Sequence, residues 1–86
     1  KMKDLSQLVR ALKKGVVTIS FKKIDTNEIR IMPCTLNQDL MDNIKLAIKN
    51  IRPESTSIVV YALDKKAIRD VRVNTIQDWY IGPPDA

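Results

Sequence analysis

Two hydrophobic periods alternate along this chain. Leu5, Leu8, Val9 and Leu12 recur at helical spacing and predict a helix over residues 4–14. Asp4 or Ser6 is its expected cap, because a short polar side chain can accept from the free N–H groups of the first turn. Lys13 and Lys14 fall in the last turn, where positive charge suits the helix dipole, and Gly15 stands as the stop. From residue 16 the period changes to two. Val17, Ile19 and Phe21 alternate with Thr18, Ser20 and Lys22, which reads as a half-buried strand over 16–24. A polar turn at 25–28 and a second strand over 29–36 complete a hairpin. Pro33 has no N–H to give to a ladder, so its strand is expected at a sheet edge or a bulge.

Helical spacing then returns. Asn37 is the expected cap of a helix over 38–51, with Leu40, Ile44, Ala47, Ile48 and Ile51 as its buried stripe and Pro53 beyond its end. Residues 52–56 read as a loop. A third strand is expected over 57–63, where the run Ile58-Val59-Val60-Tyr61-Ala62-Leu63 is apolar at nearly every position; that argues for burial on both faces, with a buried helix segment as the alternative that periodicity alone leaves open. A charged turn at 64–66 leads to a fourth strand over 68–76, with 77–81 as its extension and 82–86 as a tail. The expected class is α+β. It is a small antiparallel sheet or barrel of four to five strands, with an N-terminal helix and a helix inserted between strands two and three.

Composition narrows the chemistry. With 86 residues there is room for one domain, and 44% apolar against 29% charged residues is a globular balance, not that of a disordered or disulfide-stapled chain. No apolar run reaches the ~18 residues of a membrane span, so no membrane partner is expected. Histidine is absent, which removes imidazole ligands and histidine bases. Cys34, the single cysteine, has no such base to activate it and is expected to be a buried structural residue. One thiol and no apolar leader fit a reducing cytoplasm. The carboxylates are scattered, and two glycines cannot build a phosphate loop. The expectation is a binding module without cofactor or metal, not an enzyme.

The formal charge of +5 points to an anionic partner. Lys45, Lys49 and Arg52 recur along one flank of the second predicted helix. Arg69 and Arg72 fall on opposite faces of strand four, and Arg30 faces outward if Ile29 and Ile31 point inward. These six are the candidate phosphate contacts, in the role of electrostatic positioning. Lys22 and Lys23 end strand one, and Lys65 and Lys66 form the last turn. The alternative is a protein-interaction module using the edge around Pro33, or an apolar ledge of Trp79 and Tyr80. Packing of that aromatic pair against the first helix is the competing use.

The segments Gly15-Val-Val-Thr-Ile-Ser-Phe-Lys-Lys and Ile29-Arg-Ile-Met-Pro-Cys-Thr-Leu, with Ser57-Ile-Val-Val-Tyr-Ala-Leu-Asp and Ile68-Arg-Asp-Val-Arg-Val-Asn-Thr-Ile, resemble a family of small phage-encoded proteins. That family is described as Sm-like β-barrels related to WYL domains. The Cys34-Thr35-Leu36 and Arg72-Val73 segments carry the likeness most sharply, while Tyr61 and Asn74 stand where tryptophan and aspartate are usual. The resemblance covers roughly residues 15–76. It implies a barrel and a regulatory or ligand-binding role without a defined substrate, in the cytoplasm of a host cell for a phage-encoded protein, and self-association through sheet edges of the kind Sm-like barrels often show. The partner expected from the basic rim is nucleic acid or a small anionic ligand, and the alternative is a host or phage protein complex.

Overall fold

The computed structural model describes residues 5–41 and 54–84. One helix, α1 (Leu5–Lys14), precedes five strands: β1 (Val17–Lys22), β2 (Ile29–Thr35), β3 (Ser57–Ala62), β4 (Ala67–Arg72) and β5 (Ile76–Ile81). They form one antiparallel sheet in the order β4-β3-β2-β1-β5. The α+β class and the N-terminal helix are as expected, with Leu5, Leu8, Val9 and Leu12 as the buried face of α1. Ser6 lies inside the helix and is not its cap.

The inner face of the sheet packs Val17, Ile19, Met32, Cys34, Ile58, Val60, Ala62, Val71, Ile76 and Trp79 against that helical face. Hydrogen bonds from the end of β2 and the residues that follow it anchor the helix. The Leu36 N–H donates to the Leu12 carbonyl at 2.9 Å, and the buried Thr35 hydroxyl lies 2.8 Å from the Gly15 carbonyl. Each satisfies a carbonyl at or just beyond the helix C-terminus, where the helix's own ladder runs out.

The last third of the chain departs from expectation. Residues 68–81 are not one extended strand. Val73–Thr75 form a 3-10 turn, closed by the Thr75 hydroxyl donating to the Arg72 carbonyl at 2.6 Å, and β5 then crosses to pair with β1 at the opposite edge. In a flat sheet of five strands the two edges would stand about 19 Å apart at ~4.8 Å spacing. A 3-10 turn of three residues, rising ~2 Å per residue, bridges less than half of that. The sheet is therefore strongly curled. Among the described residues no ladder joins β4 to β5, so the curl stays open at that seam.

Two further expectations change. Pro33 is not on an outer edge, because β2 lies between β1 and β3. Its carbonyl accepts from the Leu63 N–H at 2.9 Å, so its missing N–H also points toward β3. The β2–β3 bridges comprise only Cys34↔Ala62 and Thr35↔Tyr61, so Pro33 stands where that ladder fades and leaves the β1 ladder intact. The predicted helix over 38–51 lies mostly outside the described residues. Its first part is a 3-10 turn, Gln38–Leu40, capped as expected by the Asn37 side chain accepting from the Asp39 N–H at 3.0 Å. Met41 is extended, so no unbroken helix starts at 38.

Candidate nucleic-acid interface

The curl brings together residues from strands that are far apart in the order of the sheet. The end of β1 and its turn (Phe21, Lys22, Lys23, Ile24, Asp25) face the end of β4 (Asp70, Val71, Arg72) and Thr75 across a cleft of about 370 Å³. An adjoining hollow is lined by Lys22, Lys23, Ile24, Asn27, Asn74, Thr75 and Gln77. On the other side of Arg72 a second cleft, of about 460 Å³, is bounded by Ser55, Thr56, Val73, Asn74 and Ile76. Arg72 lines both clefts and is exposed on β4.

The polar residues among these sit at strand ends and in the 3-10 turn, above a floor that Val71 and Ile76 share with the core. Three cations, Lys22, Lys23 and Arg72, outnumber the carboxylates of Asp25 and Asp70. The amides of Asn27, Asn74 and Gln77 and the hydroxyl of Thr56 add neutral groups that can bond an oxyanion. The set can hold phosphate by charge and hydrogen bonding. It has no activated nucleophile, and no group of three or more His, Cys, Asp or Glu among the described residues is placed to hold a metal ion.

The six candidates fare differently. Arg72 stands in the cleft, and Arg69, also exposed, lies three residues back along β4. Lys45, Lys49 and Arg52 lie outside the described residues. Arg30 is corrected. It pairs with Phe21, as Met32 pairs with Ile19 and Cys34 with Val17, so it belongs to the inner face. Ile29 and Ile31 point outward at 53% and 57% exposure. Arg30 escapes burial in the core by sitting at the strand's start and reaching the Asp64 carboxylate at 3.2 Å. The alternative ledge also divides. Trp79 is 5% exposed and belongs to the core that includes the α1 leucines, whereas Tyr80 is exposed on β5.

Cys34 is buried, and desolvation, with a smaller contribution from the Asp64 charge, pushes its thiol up to about 12. That holds it protonated and inert at neutral pH. The sequence pattern places Lys22 and Lys23 at the end of β1 but does not join them to Arg72. The signal for that meeting is the polar pair Asn74-Thr75, which interrupts the apolar alternation of 68–81 and marks the turn that curls the sheet. No described helix is long and apolar enough to cross a membrane. Compared with protein-family models, curated proteins and solved structures, the chain matches none.

Proposed function

We propose that this chain is a small regulatory module of the Sm-like, phage-encoded kind that holds nucleic acid, or a smaller anionic ligand, against the open seam of its curled sheet. What supports the reading is the convergence of Arg72 with Lys22 and Lys23 on one cleft. Side chains from β1 and β4 are brought face to face, and phosphate binding needs such clustered cations. The +5 charge of the chain strengthens the attraction at longer range. Arg69, exposed on the opposite face of β4 from Arg72, and Lys45, Lys49 and Arg52 join the proposal from the sequence alone. These side chains position a backbone and read no bases. The sharp curl, with a 3-10 turn linking the two edge strands, is what favours an Sm-like barrel over a flat sheet. The module binds and does not catalyse, and its place of action is the host cytoplasm.

The test is a salt titration of affinity for a generic fluorescent oligonucleotide, with circular dichroism as the folding control. Wild-type binding near 10⁻⁴–10⁻⁶ M is expected at moderate salt, the ordinary range for non-specific association. Arg72→Glu combined with Lys22→Glu should weaken it and lower the salt slope by about one for each phosphate no longer neutralised. Wild-type protein without salt-dependent binding at millimolar concentration would end this reading.

A second reading rests on a separate observation. Tyr80 and Ile81 are exposed on β5, which is an outer edge of the sheet. Such an edge suits a host or phage protein, or a further copy of this chain. Capture of a partner from nuclease-treated lysate, insensitive to salt and abolished in Tyr80→Ser, would favour it.

A further inference from the structure

The β2 strand has a gap in its hydrogen bonding that the seam does not explain. Because the Pro33 carbonyl faces β3, the N–H and C=O groups of Ile31 and Ile29, two and four residues earlier, point the same way. The bridges to β3 cover only Cys34 and Thr35, and beyond Ala62 the chain turns through residues 63–66. Among the described residues, the outward backbone groups of Ile29 and Ile31 therefore face no strand. Unpaired strand groups of this kind are a template for an added strand.

The side chains at this gap are unusual as well. Ile29 and Ile31 are more than half exposed and stand on the same outer face of one strand. The surround is basic. Lys22 pairs with Ile29, Lys23 follows it, and Lys65 and Lys66 occupy the turn beside the gap. Of the nearby carboxylates, Asp64 is taken by Arg30, which leaves Asp25 and Glu28 as counter-charges to the four lysines.

We propose that the N-terminal half of β2 is a docking edge for an extended segment of a partner protein in which aliphatic and acidic residues alternate. The segment would donate to and accept from Ile29 and Ile31, laying its aliphatic side chains beside theirs. Its carboxylates, on the opposite face of the segment, would fall on the side of Arg30, beside Lys23 and the turn lysines Lys65 and Lys66, while Lys22 shares the outer face with Ile29. The inference does not depend on nucleic-acid binding at the seam. The β5 edge fits such a segment less well, because it carries Asp78 and no Lys or Arg.

The probe is a blocked six-residue peptide alternating valine and aspartate, titrated into the labelled full chain and followed by amide NMR. Shifts and slowed exchange centred on the Ile31 and Ile29 amides are expected. A peptide N-methylated at the residues facing β2 should bind about tenfold or more weakly, since it cannot donate to the edge. Ile29→Thr with Ile31→Thr retains β-branched residues and should weaken the unmodified peptide several-fold. If those variants do not fold, the N-methylated peptide on wild-type protein decides the matter alone. The proposal is overturned if the Ile31 amide is unmoved at millimolar peptide. It is equally overturned if N-methylation changes nothing, or if the shifts centre on β4, β5 or Arg72.

Discussion

Arg30 and Asp64 meet at 3.2 Å although 34 residues separate them in the chain. The ion pair ties the start of β2 to the turn after β3, beside the stretch where those strands have no ladder. It also removes Arg30 from the pool of free cations. Arg30→Ala should leave oligonucleotide affinity within about twofold of wild type, while Arg72→Ala weakens it. Both groups of the pair retain much of their solvent exposure, so the stability loss should be no more than ~1 kcal/mol. Chemical denaturation and the same binding assay check both halves.

Thr35 should be costly to replace despite its small size. It is fully buried, its hydroxyl donates beside the end of α1, and its oxygen accepts from the Asn37 N–H at 3.0 Å. Thr35→Val keeps the shape and removes these bonds. A loss of about 1–3 kcal/mol is expected from the groups left unsatisfied. Urea unfolding measures it. A neutral result would mean that the helix is anchored by apolar packing alone.

Trp79 gives a direct optical test of its core placement. The sole tryptophan is almost wholly buried, so its emission should lie to the blue and shift to longer wavelength on unfolding. Trp79→Ala should cost about 3–5 kcal/mol, a large share of the ~5–15 kcal/mol that holds an ordinary domain folded. Emission typical of a fully hydrated indole in the folded protein would contradict this placement.

The Cys34 thiol imposes a pH dependence with a definite sign. Its folded value near 12 lies above the ordinary value of 9.0, so the folded state retains a proton that the unfolded chain releases between those values. Stability should then fall as pH rises from about 9 to 12, at up to ~1.4 kcal/mol per unit from this group. Subtracting the pH profile of Cys34→Ala isolates the contribution of this group from the rest of the chain. In the folded protein at pH 8, the thiol should resist a maleimide that labels it readily in urea.

Legibility along the chain followed how decisive each local pattern was. The α1 stripe has one possible inward face, and β3 is apolar enough to be buried however it is turned. The β2 strand is different, because Ile29 and Ile31 compete with Met32 and Cys34 for the interior. Side-chain size favours the isoleucines, but the turn sets the register. The Lys23 N–H donates to the Glu28 carbonyl, and that closure places Arg30, Met32 and Cys34 opposite Phe21, Ile19 and Val17. A register shift of one residue exchanges the two faces of a strand, so the parity of β2 was settled outside its own sequence. Arg72 illustrates the other limit. Its charge is plain from the sequence, but its meeting with Lys22 and Lys23 requires the curl produced by three residues that look like strand.

The position of β1 between β2 and β5 also sets an order of events during synthesis. Val17 pairs with both Cys34 and Ile81, so one flank of β1 can be filled early and the other only by a strand made much later. At ~5–20 residues per second, the ribosome takes roughly 3–11 s to pass from the end of β1 to the start of β5. Throughout that interval an apolar strand offers an unprotected side to any neighbouring nascent chain. The half-made molecule is therefore more prone to mispairing than the finished one, and chaperone demand should be concentrated in that window.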